Sequence, residues 1–283
     1  MVVVVGPASS SAAARKRQHI ILKSVFLIVI IAIFIGFQLG VPLPPPPQFL
    51  LSDPRTNFSK SLKGKIMVYS ASTECTNISA NFLWEELRNP CKGMGYSQGA
   101  QDCQLDQIFY NIGTTNKYFV EYGFNTNTQC SGSGPNSCKL WKVHKWTGLL
   151  LDGVNENPEI NLHAHYLYST NAASILMQYT VPKELDFLSG DMDSHDYFVM
   201  DNILSHFHPR VVTTEYNANW PKDINLSQID PQLSLSNYTW KFEGCIFGVS
   251  ASALKYLMKG YGYELIGVVP GLDLIWGRKV RSI

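Results

Sequence analysis

Four short apolar runs, each stopping at or beside a carboxylate, constrain the fold of this chain more than any other feature. They are Tyr118-Phe-Val-Glu121, Gly148-Leu-Leu-Leu-Asp152, Asp186-Phe-Leu-Ser-Gly-Asp191 and Arg210-Val-Val-Thr-Thr-Glu215. Apolar runs of this length, separated by helix-length segments, read as strands of a parallel sheet covered on both faces. Open α/β sheets bind ligands in the crevice outside the carboxyl ends of their strands. Acids at those ends therefore point to a nucleotide-type cofactor pocket.

The rest of the pattern supports the same class. Core strands are expected over 117–122, 147–152, 185–191 and 210–216. Helices are expected from Ser97 through Phe109, near Lys139–His144, over 196–206 and over Ala251–Gly260, with a helical or strand segment in 160–180. Phe242–Val249 reads as a further strand after a polar loop, and Leu265–Val269 with Leu272–Trp276 as a closing hairpin. The alternation gives an α/β fold: a three-layer Rossmann-like sandwich, mostly parallel, with right-handed crossovers and an antiparallel C-terminal hairpin.

Ahead of this body the sequence changes character. Ile20–Val41 is apolar apart from Lys23, long enough to cross a bilayer core as a helix. Arg15, Lys16, Arg17 and Lys23 precede its uncharged stretch, and the next charge after it is Asp53, which orients the N-terminus to the cytoplasm. The expected organisation is a disordered tail over 1–19, a transmembrane signal anchor over 20–41, a proline-rich stem over 42–62 and a lumenal domain over 63–283. This describes a single-pass type II membrane protein facing the Golgi or endoplasmic reticulum lumen, or the cell surface. Sequons at Asn57, Asn77, Asn225 and Asn237 and six cysteines, all after the anchor, fit an oxidising compartment. Cys130 and Cys138 bracket a short polar loop and are the expected pair. With a net charge of +1 and no basic stripe, nucleic acid is not an expected partner.

Candidate chemistry gathers at the strand ends. In Val120-Glu-Tyr-Gly-Phe-Asn-Thr-Asn127, a glycine directly after a strand lets the backbone pass close to a ligand. That turn brings in Glu121, Gly123 and Asn125 as candidate cofactor contacts. Asp152, ending the next strand, can accept ribose hydroxyls. Asp191-Met-Asp193, followed by Ser194-His195-Asp196, has two readings: alternating aspartates can chelate Mn²⁺ or Mg²⁺, or Asp193 or Asp196 can cap the next helix. His163-Ala-His165 and His206-Phe-His208 lack an acidic or cysteine partner at metal spacing and read as surface or packing residues. No metal ligands are assigned. The sequence contains no Gly-x-Ser-x-Gly elbow, Walker loop or His-Glu-x-x-His motif.

Several blocks together resemble the FkbM-type methyltransferases. They are Ser97-Gln-Gly-Ala-Gln-Asp102, Tyr118-Phe-Val-Glu-Tyr-Gly123, Trp146-Thr-Gly-Leu-Leu-Leu-Asp152, Val181-Pro-Lys-Glu-Leu-Asp-Phe-Leu-Ser189 and Pro209-Arg-Val-Val-Thr-Thr-Glu-Tyr-Asn217, in order over about residues 95–278. The resemblance implies a class I fold that uses S-adenosylmethionine to methylate an oxygen. It implies that Glu121 and Gly123 meet the methionine end of the cofactor, Asp152 the ribose, and Asp191 the methyl-transfer region. Asp193, His195 and Glu215 are then the candidate catalytic bases. The chain departs from the family's turn at Asn127, where a second glycine is usual. The compartment suggests a glycan or another secretory-pathway acceptor. A lumenal Asp-x-Asp glycosyltransferase and an inactive, methyltransferase-like binding module are the alternatives, with a cytosol-facing enzyme if the topology is inverted.

Overall fold

A computed structural model of the protein describes residues 2–4, 91–125, 130, 134–233 and 247–279. In chain order the elements are β1 (Val2–Val4), α1 (Gln101–Ile112), β2 (Tyr118–Tyr122), α2 (Cys138–Lys142), β3 (Thr147–Asp152) and β4 (Leu162–Ala164). There follow α3 (Ala172–Gln178), β5 (Phe187–Gly190), α4 (Asp196–Leu204), β6 (Val211–Glu215), β7 (Leu226–Gln228), α5 (Ala251–Gly260), β8 (Tyr263–Val269) and β9 (Asp273–Arg278).

Seven of the strands form one sheet in the order β4-β3-β2-β5-β6-β9-β8. The pairs from β4 through β6 are parallel, and β9 runs antiparallel to both β6 and β8. The chain winds outward from β2 through β3 to β4, then returns to the other side of β2 with β5. The order therefore reverses between β2 and β5, which is where a doubly wound sheet opens its ligand crevice.

Both sheet faces are apolar, which is why the strands read as continuous hydrophobic runs. Val120, Leu149, Leu188, Val212 and Trp276 pack with α3, α4 and α5. Phe119, Leu150, Phe187, Val211 and Ile275 alternate with them and pack with α1 and α2. The parallel register sets Tyr122 beside both Leu151 and Gly190, so the strand exits lie level with one another.

The four acid-tipped strands, α5 and the hairpin form where the sequence placed them. The 160–180 stretch supplies both alternatives, an edge strand and a helix. Helix α1 starts at Gln101 rather than Ser97, because Ser97 Oγ accepts the Asp102 amide at 3.1 Å from a turn outside the helix. The expected strand at Phe242–Val249 is not formed within its described part, 247–249. Gly248 adopts φ +59, and Val249 makes only an isolated bridge to Ser227. Its bridge partner lies in β7, a short strand inside the segment read as a polar loop. Residues Leu226, Ser227 and Gln228 are buried there despite their mixed polarity.

Within the segment read as a disordered tail, Val2–Val4 forms an antiparallel ladder with β7. The Cys130–Cys138 disulfide is present as expected, and Cys91–Cys103 joins it. Among the described residues no helix is long and apolar enough to cross a membrane. The expected anchor and stem, the start of the body near Lys65, Cys75, Asn127, Cys245 and the sequons at Asn57, Asn77 and Asn237 lie outside the described residues.

Candidate active site at the strand exits

The exits of β2 and β5 touch backbone to backbone. Gly123 adopts φ +79, and a Cβ built on it would stand 1.4 Å from the Asp191 carbonyl oxygen. Glycine is required here twice over, by the left-handed conformation and by the space. The Gly123 amide donates to the Leu151 carbonyl at 2.9 Å, turning the chain over the end of β3. Asn125, at φ +52, sends its amide to Asp152 Oδ2 at 3.1 Å. Asp152 Oδ1 accepts the amides of Val154 and Asn155 at 2.8 and 2.7 Å. Partial desolvation works to raise the Asp152 pKa, but these amides outweigh it and hold the carboxyl below its ordinary value. It is charged at neutral pH and pins both loops.

Between these loops and the β5–α4 connection lies a cavity of about 580 Å³. Gly123, Asn125 and Asp152 line it with Asp191, Asp193 and His195, so six of the eight residues chosen from sequence meet there. Among its described lining residues there are three carboxylates, those of Asp152, Asp191 and Asp193, and no lysine or arginine.

Glu121 and Glu215 do not line the cavity. Glu121 shares a sheet face with Asp152, but the Asn136–Ser137 turn occupies the space above it. The carboxylate accepts the amides of Asn136 at 2.8 Å and Ser137 at 2.9 Å, together with the Ser137 hydroxyl. Burial pushes its pKa up to about 6 in spite of those three donors.

Glu215 instead meets the Asp-x-Asp pair. Single carboxylate oxygens of Asp191, Asp193 and Glu215 all lie within 4.8 Å of one another. Asp196 builds the connecting turn by accepting the amides of Met192 at 3.0 Å and Ser194 at 3.1 Å, and Asp193 takes φ +56 within it. The capping expectation is not met: the N-cap position falls on His195, with no side-chain cap hydrogen bond, and Asp196, the first helical residue, instead organises the loop that presents Asp193. Burial, then the charges of Asp191 and Asp193 and a hydrogen bond with Asp191, push the Glu215 pKa up to about 12. Glu215 therefore keeps its proton at neutral pH when these acids stand alone.

The sequence reading missed Asp273, which stands directly opposite Glu215 in the β6–β9 ladder. Its Oδ2 accepts from Gln101 Nε2 at 2.6 Å and Asn136 Nδ2 at 3.3 Å, while its buried Oδ1 has no partner. The one available signal was an acid opening the last strand, and nothing in the sequence sets its register against Glu215.

His195 is buried, and its ring stacks on Tyr168 with centroids 5.6 Å apart. Its Nε2 lies 2.9 Å from the Leu167 carbonyl oxygen. A carbonyl only accepts, so this contact puts the proton of the neutral ring on Nε2 and leaves a lone pair on Nδ1. That Nδ1 is buried and has no partner.

No family model and no curated protein sequence matches this chain. Among solved structures, the chain is similar to the MycE methyltransferase of the mycinamycin biosynthetic pathway in complex with Mg and SAH. The TM-score is 0.40 at 16% identity, over 73% of this chain and 56% of that one. A second crystal form of MycE with Mg and SAH gives 0.39 at 13% identity. An O-methyltransferase from Bacillus cereus in complex with SAH gives 0.36 at 10% identity, over 78% of this chain and 94% of that one. The chain spans about half the length of MycE.

Proposed function

We propose that this protein is an S-adenosylmethionine-dependent O-methyltransferase of the FkbM type, with its cofactor in the cavity between the exits of β2 and β5. The observation that carries this reading is the charge of the cavity. A site with three lining carboxylates and no lining lysine or arginine disfavours phosphate-bearing dinucleotides and nucleotide sugars, and favours a cation. Its size is that of a pocket for a ligand of nucleoside scale.

When bound, S-adenosylmethionine supplies a methyl group on a positively charged sulfur. This chain contributes position and charge. Gly123 would leave room beside the cofactor's methionine end, Asp152 and Asn125 would hold the ribose side, and Asp191 would lie on the methyl-transfer side. His195, whose ring lines the cavity and whose buried Nδ1 has no protein partner, would be the group to take the proton from the acceptor hydroxyl. A buried lone pair with no protein donor fits this base better than Glu215, which already carries a proton, or Asp193, which sits among other carboxylates.

Titration of the purified chain with S-adenosylhomocysteine, and separately with UDP, tests the reading. Binding of the first alone, weakened by Asp152→Ala, is the expected result; binding of UDP alone would refute it. With an acceptor in hand, His195→Ala should lower kcat by about 10²–10⁴-fold while leaving S-adenosylhomocysteine affinity in place.

The acceptor class belongs to the same proposal: a hydroxyl on a glycan or another secretory-pathway molecule, reached by a lumenal body anchored through residues 20–41. The two disulfides support an oxidising compartment. The ladder between Val2–Val4 and β7 makes the anchor directly testable. A single crossing over 20–41 would put residues 2–4 and 226–228 on opposite sides of a membrane, so an anchored form would be one in which Val2–Val4 has left the β7 ladder. A glycosidase-sensitive mass shift at Asn57, Asn77 or Asn237 in cell-made protein supports the anchor; a membrane-inserted chain with all sequons bare overturns it.

A further inference from the structure

We propose that a second cavity, at the amino ends of β2 and β3, binds a carboxylate carried on a ring. It lies at the opposite end of these strands from the cavity described above, and the inference does not depend on the cofactor reading.

This cavity, of about 530 Å³, is lined by residues of α1 and α2 and by those that lead into the two strands. Its apolar lining is Phe109, Leu140 and Trp146, all buried, with the Phe109 and Trp146 rings edge to face at a centroid distance of 4.8 Å. Tyr110 lines it as well and is 90% exposed. An aromatic ring left in water beside an apolar floor suits a ligand with a flat, partly apolar body.

The charge is opposite in sign to that of the first cavity. The one carboxylate among the described lining residues, Asp106, is already matched: Lys139 pairs with one oxygen, and His144 Nε2 lies 2.9 Å from the other. Lys117 also lines the cavity, is exposed, and has no ion-pair partner among the described residues. Lys145 stands between the lining residues His144 and Trp146, and its Nζ donates to the neutral Lys142 carbonyl at 2.8 Å. With Asp106 neutralised, the remaining charge is positive and favours an anion.

The backbone at both lysines gives an independent reason. Lys117 adopts φ +52 and Lys145 φ +56, in the left-handed region that most side chains avoid. Turn geometry accounts for the angles but not for the residues. The Lys117 turn wraps Asp186 with its amides, and the Lys145 turn closes α2, where the Trp146 amide donates to the Leu140 carbonyl at 3.0 Å. Glycine would serve either turn with less strain. Each turn instead keeps a long cation beside the aromatic floor, as expected of charges held for a ligand. The Thr115, Asn116 and Lys117 amides that could cradle a phosphate are spent on Asp186, which leaves point charges suited to a carboxylate.

The test titrates the full-length chain by calorimetry with two acids, methyl β-glucuronide for a saccharide source and 4-hydroxybenzoate for an aromatic one. Each is set against its uncharged twin, methyl β-glucoside or 4-hydroxybenzamide. At least one acid should bind about tenfold or more tightly than its twin, and the acid that binds more tightly names the source. Lys117→Gly should weaken that binding about tenfold while raising the melting temperature, because glycine takes φ +52 without a Cβ penalty. Lys117→Arg, which keeps the charge, should retain the affinity. A lysine with a structural role alone predicts the reverse for Lys117→Gly, a lower melting temperature at unchanged affinity. If that variant fails to fold, the wild-type preference for acid over twin still decides. Failure of both acids to bind at about 10 mM overturns the inference, as does equal binding of acid and twin or an affinity that Lys117→Gly leaves intact.

Discussion

Strand β5 has an aspartate at each end, and the protein treats the two in opposite ways. Asp186, entering the strand, is fully buried and surrounded by donors. It accepts the amides of Thr115, Asn116 and Lys117 at 2.8–3.0 Å, the Thr115 hydroxyl at 2.8 Å and Arg210 Nη1 at 2.9 Å. Burial works to raise its pKa, but these partners outweigh it and hold the carboxyl below the ordinary value. Asp191, leaving the strand, has a protonated glutamic acid and further acids around it, and burial pushes its pKa well up. The amino end of the sheet is a finished structural joint. The carboxyl end is left electrostatically incomplete, as expected of a surface that waits for a cationic ligand.

Three substitutions probe that contrast, taken from the largest effect down. Asp186→Ala strands the Arg210 guanidinium and three amides at the joint, and should cost about 3–5 kcal/mol in denaturant unfolding. A loss below about 1 kcal/mol would erase the contrast. Binding of S-adenosylhomocysteine by the fraction that stays folded should be unaffected.

The second probe is pH. Glu121 has a folded pKa of about 6 against 4.5 for an unperturbed glutamate, so its charged form disfavours the folded state. That penalty, about 2 kcal/mol, is fully present above pH 6 and is relieved as pH falls toward 4.5. Asp186 has the opposite sign: its contribution is present above its unfolded pKa near 3.8 and is lost as pH falls below it. The difference in melting temperature between wild type and Glu121→Gln should therefore change between pH 7 and 5. Parallel profiles would show that Glu121 does not titrate there.

The smallest effect is expected from Asp191→Asn. Removing one of several converging carboxylates should leave the chain equally stable, or stabilise it by about 0.5–1 kcal/mol, while weakening ligand binding. A destabilisation like that of Asp186→Ala would mean that Asp191 is structural as well.

Much of this arrangement was legible before any coordinates. A buried parallel strand must be apolar on both faces, so β2, β3, β5 and β6 announce themselves, and their terminal acids mark where each run leaves the sheet. Gly123 and Asp152 could be picked for the same reason, since a strand exit that touches another backbone tolerates only glycine. Strand β7 could not, because Leu226-Ser-Gln228 has no periodic signal and is a strand only through its partners. Asp273 was invisible for a similar reason: its meaning lies in a register with Glu215, 58 residues earlier in the chain.

Local patterning thus determined the strands, the helices between them and which end of the sheet carries the acids, because burial and backbone geometry act over a few residues at a time. Only the tertiary structure decided how those acids are used. It sealed Glu121 beneath the Asn136–Ser137 turn, drew Glu215 to Asp191 and Asp193, and left His195 Nδ1 without a donor. Hydrogen-bond partners and charge proximity depend on which distant segments the fold brings together, and no spacing along the chain encodes that.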